Sequence, residues 1–106
     1  MTHDLDPNLQ HPARLRLMTM LTAVSEAEFS ALREHLDVAD SVLSKHISAL
    51  ASVRYLASRK GSHLGKRTTW VRLTPTGRRA LAAHVAVLRS IIDQVEVAPP
   101  RPRGGK

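Results

Sequence analysis

Short hydroxyl side chains and one lysine recur between residues 41 and 48 and could form hydrogen bonds to a partner. They are Ser41, Ser44, Lys45 and Ser48, at a spacing that places them on one side of a helix. Hydroxyls donate and accept hydrogen bonds, whereas lysine only donates them. A surface helix that needs only solubility usually carries longer charged residues on its outer side. Our hypothesis is therefore that this side lies close against a partner, and that the partner is the major groove of DNA.

The opposite side of the same segment is apolar. Leu43, Ile47 and Leu50 recur at i, i+4 and i+7, which predicts an amphipathic helix whose inner side faces a core. Asp40 or Ser41 is predicted to cap its first turn, because short polar side chains accept hydrogen bonds from the free N–H groups there. The segment thus predicts a helix that is buried on one side and open to a partner on the other.

A second helix is predicted just before this one. Phe29, Leu32 and Leu36 lie on one of its faces, and Asp37 is predicted to end it in a left-handed conformation, which aspartate tolerates. Its start is ambiguous: residues 25–28 fit the S-x-x-E capping box, but they could also be a short extended piece. Two helices joined by a short turn, the second with a polar outer side, are typical of a helix-turn-helix.

The N-terminal part of the chain predicts a lead-in and one more helix. Residues 1–10 are polar and are predicted to be flexible. A helix is predicted over residues 11–24, with Leu17, Met18 and Leu21 as its core stripe.

Beyond residue 54 the apolar pattern changes from helical spacing to alternation. Residues 55–60 and 69–73 predict two strands, and residues 61–68 predict a glycine-containing loop that ends in adjacent cations. Val71 and Leu73 share a face and are expected to be buried. A β-hairpin with a basic tip, directly after a helix-turn-helix, indicates the wing of a winged helix. We therefore expect a mostly helical α+β fold, a winged helix-turn-helix with three helices, a hairpin wing and a long C-terminal helix.

The last helix is predicted to begin with Thr74 as its cap and Pro75 at its first position, and to reach about Val95. Its apolar side could simply pack on the first helix, but roughly six turns exceed what a small core can cover. We therefore expect homodimerisation through this helix. The predicted dimer contacts are Leu81, Val85, Leu88, Ile91, Ile92 and Val95.

The chain is expected to form one domain. Its 106 residues are 42% hydrophobic, which is enough for a single core, and only 3% are aromatic, so that core should be aliphatic. Residues 11–97 are predicted to form the DNA-binding and dimerisation domain. Residues 98–106 are predicted to be a disordered basic tail.

Charge is segregated along the chain. The formal net charge is +7, and residues 41–92 contain no aspartate or glutamate. A one-sided positive field of this kind is the electrostatic pattern of proteins that bind polyanions, although a generally basic, solvated surface is the alternative. The basic residues of the span are Lys45, Arg54, Arg59, Lys60, Lys66, Arg67, Arg72, Arg78, Arg79 and Arg89.

The sequence argues against an enzyme and against a metal centre. It has no cysteine, no pair of histidines at ligand spacing, and no phosphate-binding or nucleophile motif. We expect no catalytic residues, no metal ligands and no cofactor. The N-terminus lacks the regions of a signal peptide, and no apolar run approaches the roughly 20 residues of a membrane span. We therefore expect a soluble, cytoplasmic protein with no membrane partner.

Three segments resemble a known family of transcriptional regulators. Residues 36–50 are similar to the Leu-Ser-x-His-Leu-x-x-Leu recognition helix of small bacterial and archaeal winged-helix regulators related to the MarR and ArsR groups. Residues 70–78 resemble the family's second wing strand, which closes in Leu-Thr-Pro-x-Gly, and residues 11–18 resemble its opening helix. The chain departs from the family pattern at Asp37 and Arg54, where glycine is usual.

The resemblance implies that the partner is double-stranded DNA and assigns roles to individual residues. His46, beside Ile47 on a partly buried side, is predicted from its position to be packed and hydrogen-bonded, and a base contact is the alternative. The residues that would reach base edges or nearby phosphates from the recognition helix are Ser41, Val42, Ser44, Lys45 and Ser48. Those that would contact phosphates or the minor groove from the wing and its surroundings are Arg59, Lys60, His63, Lys66, Arg67, Arg72 and Arg78.

The expected function is that of a sequence-specific regulator of transcription, a repressor that acts as a homodimer on a pseudo-palindromic operator. The alternative is a winged-helix module whose basic face binds an acidic protein. Such modules often carry acidic or apolar residues on the outer side of the third helix, where this chain has mainly serines and Lys45. A small-molecule effector at the dimer interface is compatible with the resemblance, and nothing in the sequence identifies one.

Overall fold

The computed structural model describes residues 4–97, so residues 1–3 and the predicted tail at residues 98–106 lie outside the described part. A three-stranded antiparallel sheet in the order β1-β3-β2 packs beside the helices. This architecture confirms the winged helix-turn-helix predicted from the sequence. The elements, in chain order, are a 3-10 helix Pro7–Leu9, α1 Pro12–Leu21, β1 Ala27–Glu28, α2 Phe29–Leu36, α3 Asp40–Ser52, β2 Leu56–His63, β3 Lys66–Leu73 and α4 Pro75–Val97.

The core is aliphatic, as the composition predicts. It lies between α1, α2, α3 and the inner face of the sheet, where Val71 is fully buried and Leu73 is 8% exposed. Burial of these side chains supplies the main favourable contribution to folding. The helix residues at its centre are Leu17, Met18, Leu21, Leu32, Leu36, Leu43, Ile47 and Leu50.

The segment between α1 and α2 is extended. Helix α1 ends at Leu21 rather than near Val24, and Ala27 pairs with Val71 of β3. Of the two starts considered for α2, the short extended piece is confirmed and the S-x-x-E capping box is wrong, since Glu28 precedes α2 without a side-chain cap hydrogen bond. Pairing with β3 satisfies the backbone groups that a helical start would have left free.

The turn into α3 has the conformation predicted for it, but not the predicted cap. Asp37 is left-handed, with φ 54° and ψ 52°, and its N–H donates to the carbonyl of Arg33 at 2.9 Å. The N-cap of α3 is Ala39, which makes no side-chain cap, so the expectation of a cap at Asp40 or Ser41 is wrong. The Asp40 carboxylate instead accepts a hydrogen bond from Arg33 at 2.9 Å.

The turn out of α3 joins the recognition helix to the start of α4. Arg54 has φ 66°, and the N–H of Tyr55 donates to the carbonyl of Leu50 at 2.9 Å. The Tyr55 carbonyl in turn accepts the N–H of Thr74 at 3.0 Å. The Thr74 hydroxyl accepts the N–H of Gly77 at 2.9 Å, which confirms the predicted cap of α4.

The hairpin is longer, and its turn tighter, than the sequence predicts. Eight residues of β2 pair with eight of β3, so the expected loop at residues 61–68 shrinks to Leu64 and Gly65. Both turn residues have positive φ, 54° and 80°, as a type I′ turn requires. A leucine in that region carries a strain of about 1–2 kcal/mol. The outer strand segments were missed because they are polar on both faces and show no apolar alternation.

Residues 4–10 are packed against the domain, in contrast to the flexible lead-in that we expected. Leu9 is fully buried, and the N–H of Asp6 donates to Nδ1 of His84 at 2.9 Å. The Tyr55 hydroxyl donates to the Asp6 carboxylate. Burial and that hydrogen bond raise the pKa of Tyr55 to about 12. The lead-in therefore connects α4 with the end of the recognition helix.

Candidate nucleic-acid interface

The structure brings the predicted recognition residues together on the outer side of α3. The opposite side is closed, since Leu43 and Leu50 are fully buried and Ile47 is 8% exposed. Hydroxyl groups and one ammonium group thus form a small polar surface that no other element covers in the described part of the chain. All of its members are exposed, namely Ser41, Val42, Ser44, Lys45 and Ser48.

His46 packs inside the domain, as predicted. It is 6% exposed, and its Nδ1 accepts a hydrogen bond from Nε of Arg14 at 3.1 Å. The ring of His11 lies edge-on to it, with 4.5 Å between the ring centroids. Burial, followed by the nearby charges of His11 and Arg14, lowers the pKa of His46. Its neutral ring therefore joins α1 to the inner side of the recognition helix.

Acidification is expected to destabilise the protein through His46. Because the pKa of this base is lower in the folded than in the unfolded protein, folding binds fewer protons. The contribution of neutral His46 is complete above the ordinary value of 6.5 and is lost as the pH falls from there towards the folded pKa. The free energy of unfolding, measured by urea titration at several pH values, should fall in that window.

His46→Gln is the matched control for this prediction. The glutamine amide oxygen can accept the hydrogen bond from Arg14, but the side chain does not titrate. The variant should therefore lose most of the pH dependence of the free energy of unfolding just below pH 6.5. An unchanged pH dependence in the variant would show that His46 is not the group responsible.

Arg33 also lies beside the predicted DNA-binding surface, and its role was not predicted from the sequence. Its guanidinium forms an ion pair with Asp40 at 2.9 Å, at the first turn of α3. The hydrogen bond to Asp40, followed by the negative charge of the Asp40 carboxylate, raises the pKa of Arg33. The pair neutralises the acid at the end of the helix that would approach DNA, where an uncompensated carboxylate would repel phosphates. Its only sequence signal is a cation in the last turn of α2.

Arg59 is engaged within the protein. Its Nε donates to the Glu26 carboxylate at 3.1 Å, and a second guanidinium nitrogen donates to the other oxygen. Its guanidinium carbon lies 5.6 Å from the centroid of the Trp70 ring. The hydrogen bond from Arg59 lowers the pKa of Glu26. Arg59 therefore joins the wing to the segment just before β1. The two residues are 33 positions apart, and no local sequence pattern predicts their contact.

The other side chains predicted to contact phosphates lie on the two wing strands and in the first turn of α4. Lys66 and Arg67 are exposed near the tip, and within residues 4–97 neither forms an ion pair. Lys60 donates to the Thr69 hydroxyl at 2.9 Å, and a recess of about 200 Å³ lies beside it and Arg67. His63 lies 4.0 Å from the Glu28 carboxylate. Arg72 and Arg78 are exposed as well.

The predicted dimer stripe of α4 divides into two parts. Leu81 is 6% exposed and belongs to the core, and Val85 packs against that core, so these two serve the domain itself. Ile91, Ile92 and Val95 are exposed by 44%, 51% and 71%. The outer turns of α4 thus leave an apolar face uncovered in the described residues.

A groove of about 880 Å³ lies between α4 and the lead-in. Its lining is mainly apolar, with a few polar groups at the edges. The lining residues are Asp4, Leu5, Gln10, Ala83, Ala86, Val87, Ser90, Ile91 and Gln94.

Among the residues described, no group of three or more histidine, cysteine or carboxylate side chains could hold a metal ion. No helix between residues 4 and 97 has the length and apolar character needed to cross a bilayer.

Comparison with known proteins adds independent findings. Residues 13–92 match the family described as the winged helix DNA-binding domain. An uncharacterized protein of Methanocaldococcus jannaschii is 23% identical over 83 residues, which is 78% of this chain and 90% of that protein. The matched family region includes all of α2, α3 and both wing strands.

Solved structures share the fold. The transcriptional regulator homologue from Pyrococcus horikoshii superimposes with a TM-score of 0.77 at 26% identity, covering 83% of this chain and 87% of that one. The PcaV transcriptional regulator from Streptomyces coelicolor, solved in complex with its natural ligand, has a TM-score of 0.69 at 21% identity, covering 92% of this chain and 67% of that one. These likenesses confirm the fold and the resemblance on which the residue assignments depend.

Proposed function

This chain belongs to the winged helix DNA-binding domain family, and we propose that it represses transcription as a homodimer on a pseudo-palindromic operator. A DNA-binding regulator is what the family match and the solved relatives support. The proposal adds sequence selectivity, two-fold assembly and the direction of regulation.

The outer side of α3 carries the proposal. Its short serines and Lys45 are exposed, whereas the inner side of the helix is buried. The major groove admits an α-helix, and small side chains let that helix approach the base edges closely. The serine hydroxyls could contact bases or phosphates, Lys45 could donate to guanine, and Val42 could meet a thymine methyl group.

The wing and its surroundings would supply phosphate contacts. Lys66 and Arg67 lie near the end of a hairpin that carries no carboxylate of its own. Lys60, Arg72 and Arg78 add exposed positive charge. Contacts of this kind orient a protein on the duplex and make its affinity depend on salt, without distinguishing sequences.

The uncovered face of α4 supports the homodimer. Ile91, Ile92 and Val95 are exposed on the outer turns, beyond the part of the helix that the domain itself buries, and Leu88 is half-buried where the two parts meet. Packing this face against the same face of a second copy would remove apolar surface from water through a two-fold contact. Two recognition helices would then enter successive major grooves about 34 Å apart.

Repression would follow where the operator overlaps a promoter, because a dimer that occupies successive grooves excludes other proteins from that DNA. The groove beside the lead-in is a candidate effector site, since its volume of about 880 Å³ and its mainly apolar lining suit a small molecule. Tyr55 and Asp6 connect this region to the end of α3, so a ligand there could alter the position of the recognition helix.

Selection from a random pool of duplexes tests the proposal. We expect the purified protein to enrich two inverted half-sites separated by about one helical turn. Analytical ultracentrifugation should show a dimer, and an enriched site placed across a promoter should reduce transcription in vitro. Recovery of single half-sites would contradict the dimer, and recovery of no preferred sequence would contradict selective binding, leaving an acidic protein as the partner to seek.

A further inference from the structure

A leucine occupies the tip of the wing. Leu64 is 90% exposed, more than any other large hydrophobic side chain in residues 4–95. It is the first of the two residues that join β2 to β3, so it projects where the hairpin ends. An apolar side chain held in water adds nothing to the stability of the isolated domain, because burial is the source of the hydrophobic contribution.

The backbone at this position makes the leucine doubly unfavourable. Leu64 has φ 54°, a conformation that asparagine and glycine adopt readily and that bulky residues rarely do. A type I′ turn usually has asparagine or aspartate there, followed by glycine, and only the glycine is present as Gly65. Strained residues of this kind are concentrated at functional sites.

The charges around Leu64 favour a polyanion as the partner. Lys66 and Arg67 follow the turn, outside any ion pair found in the described residues. The hairpin itself carries no carboxylate, although Glu28 of β1 lies 4.0 Å from His63, the residue before Leu64, and Glu26 accepts hydrogen bonds from Arg59. The tip therefore combines an apolar end with adjacent positive charge.

A narrow tip of this composition suits the minor groove. The groove attracts cationic side chains, and proteins that bind there often insert apolar side chains between base steps and kink the duplex. The tip is two residues wide, and nothing lies within 4 Å of the position that a Cβ of Gly65 would occupy, so the turn is open on that side. Eight paired residues extend the hairpin by about 26 Å.

We propose that Leu64 is a wedge that enters the minor groove beside the recognition site, partly unstacks one base step and bends the DNA. This activity rests on the proposed function, because the wing reaches the groove only when α3 is seated on the duplex. Unstacking is least costly at pyrimidine–purine steps, so the wedge would favour TA or CA at a position that α3 does not touch.

Bending can be measured with a short duplex recovered by the selection, carrying a fluorescent donor and acceptor at its two ends. The wild-type protein should raise energy transfer by an amount that corresponds to a bend of roughly 20–90°. Leu64→Asn should remove most of this bend, although asparagine suits the turn and should raise the melting temperature of the free protein. Leu64→Met keeps a flexible apolar side chain and should retain the bend.

Repeating the selection with the variants gives a second measurement. Leu64→Asn should lose the enrichment of pyrimidine–purine steps outside the half-sites and keep the half-sites themselves. Lys66→Ala should weaken binding to all duplexes and keep the step enrichment. A straight duplex with the wild-type protein, or an equal bend with Leu64→Asn, would overturn the wedge and leave the proposed function standing. If the proposed function is wrong, the selection from random duplexes with the wild-type protein will already yield no preferred sequence.

Discussion

Replacing Ser44 and Lys45 together with alanine is expected to abolish the selectivity of this protein for its operator while leaving it folded. Both side chains project from the exposed side of α3, away from the buried Leu43 and Ile47, so their removal leaves the core intact. A good bidentate contact to a base edge contributes about 1–3 kcal/mol of discrimination. Affinity for the selected site should approach that for unrelated DNA, as measured by fluorescence anisotropy, while the thermal melt stays unchanged.

Two control variants separate base contacts from general electrostatics. Arg89→Ala removes an exposed cation from α4 that is not among the proposed DNA contacts, and it should leave the selectivity for the operator unchanged. Lys66→Ala should weaken binding to every duplex by a similar factor and reduce the slope of log K against log salt by about 0.9 if it neutralises one phosphate. Full selectivity in the Ser44 and Lys45 double variant would show that sequence is recognised elsewhere on the protein.

Gly77→Ala is expected to cause a large loss of stability. Gly77 lies in the first turn of α4, and a Cβ there would lie 2.1 Å from the carbonyl oxygen of Tyr55. That oxygen cannot move away freely, because it accepts the N–H of Thr74 at 3.0 Å and fixes the exit from α3. Overpacking costs about 1–3 kcal/mol and occasionally more, and a 2.1 Å approach to a backbone oxygen belongs at the upper end, whereas the gain in helix propensity from glycine to alanine is only about 1 kcal/mol. The clash therefore outweighs the propensity.

Urea unfolding measures this effect, and Ala82→Gly is its control. Ala82 is exposed on the same helix, so the reverse exchange there should cost only about 1 kcal/mol. Since small domains are stable by about 5–15 kcal/mol, Gly77→Ala should lose a large share of the total. A stabilised Gly77→Ala protein would show that the first turn of α4 can shift away from Tyr55 without loss.

Several parts of this fold follow from local sequence. The apolar spacing of Leu43, Ile47 and Leu50 predicts the inner side of α3, and alternation predicts the burial of Val71 and Leu73. These predictions succeed because a side chain's periodicity determines which face it occupies, whatever the element packs against. The left-handed Asp37 was predicted because it follows the last apolar residue of its helix and because aspartate tolerates that conformation.

Other features depend on residues that are far apart in the chain. Ala27 forms a strand because Val71 pairs with it, and Arg59 is held by Glu26, although neither contact has a local sequence signal. Residues 4–10, expected to be flexible, are held by two hydrogen bonds: the N–H of Asp6 donates to His84, and the Tyr55 hydroxyl donates to the Asp6 carboxylate. A polar residue carries no periodic information about its partner, so only the three-dimensional arrangement decides whether it is free or engaged.

The sequence by itself determined the helix with a small polar outer side, the acid-free basic span around it and the order of elements that form a winged helix. It did so because periodicity and net charge are local or additive properties. Tertiary structure alone decided that residues 4–10 pack against the domain, that Arg59 is paired with Glu26, and that the wing ends in a strained, exposed Leu64. These outcomes depend on strand register and on which surfaces meet, and both are properties of the folded chain as a whole.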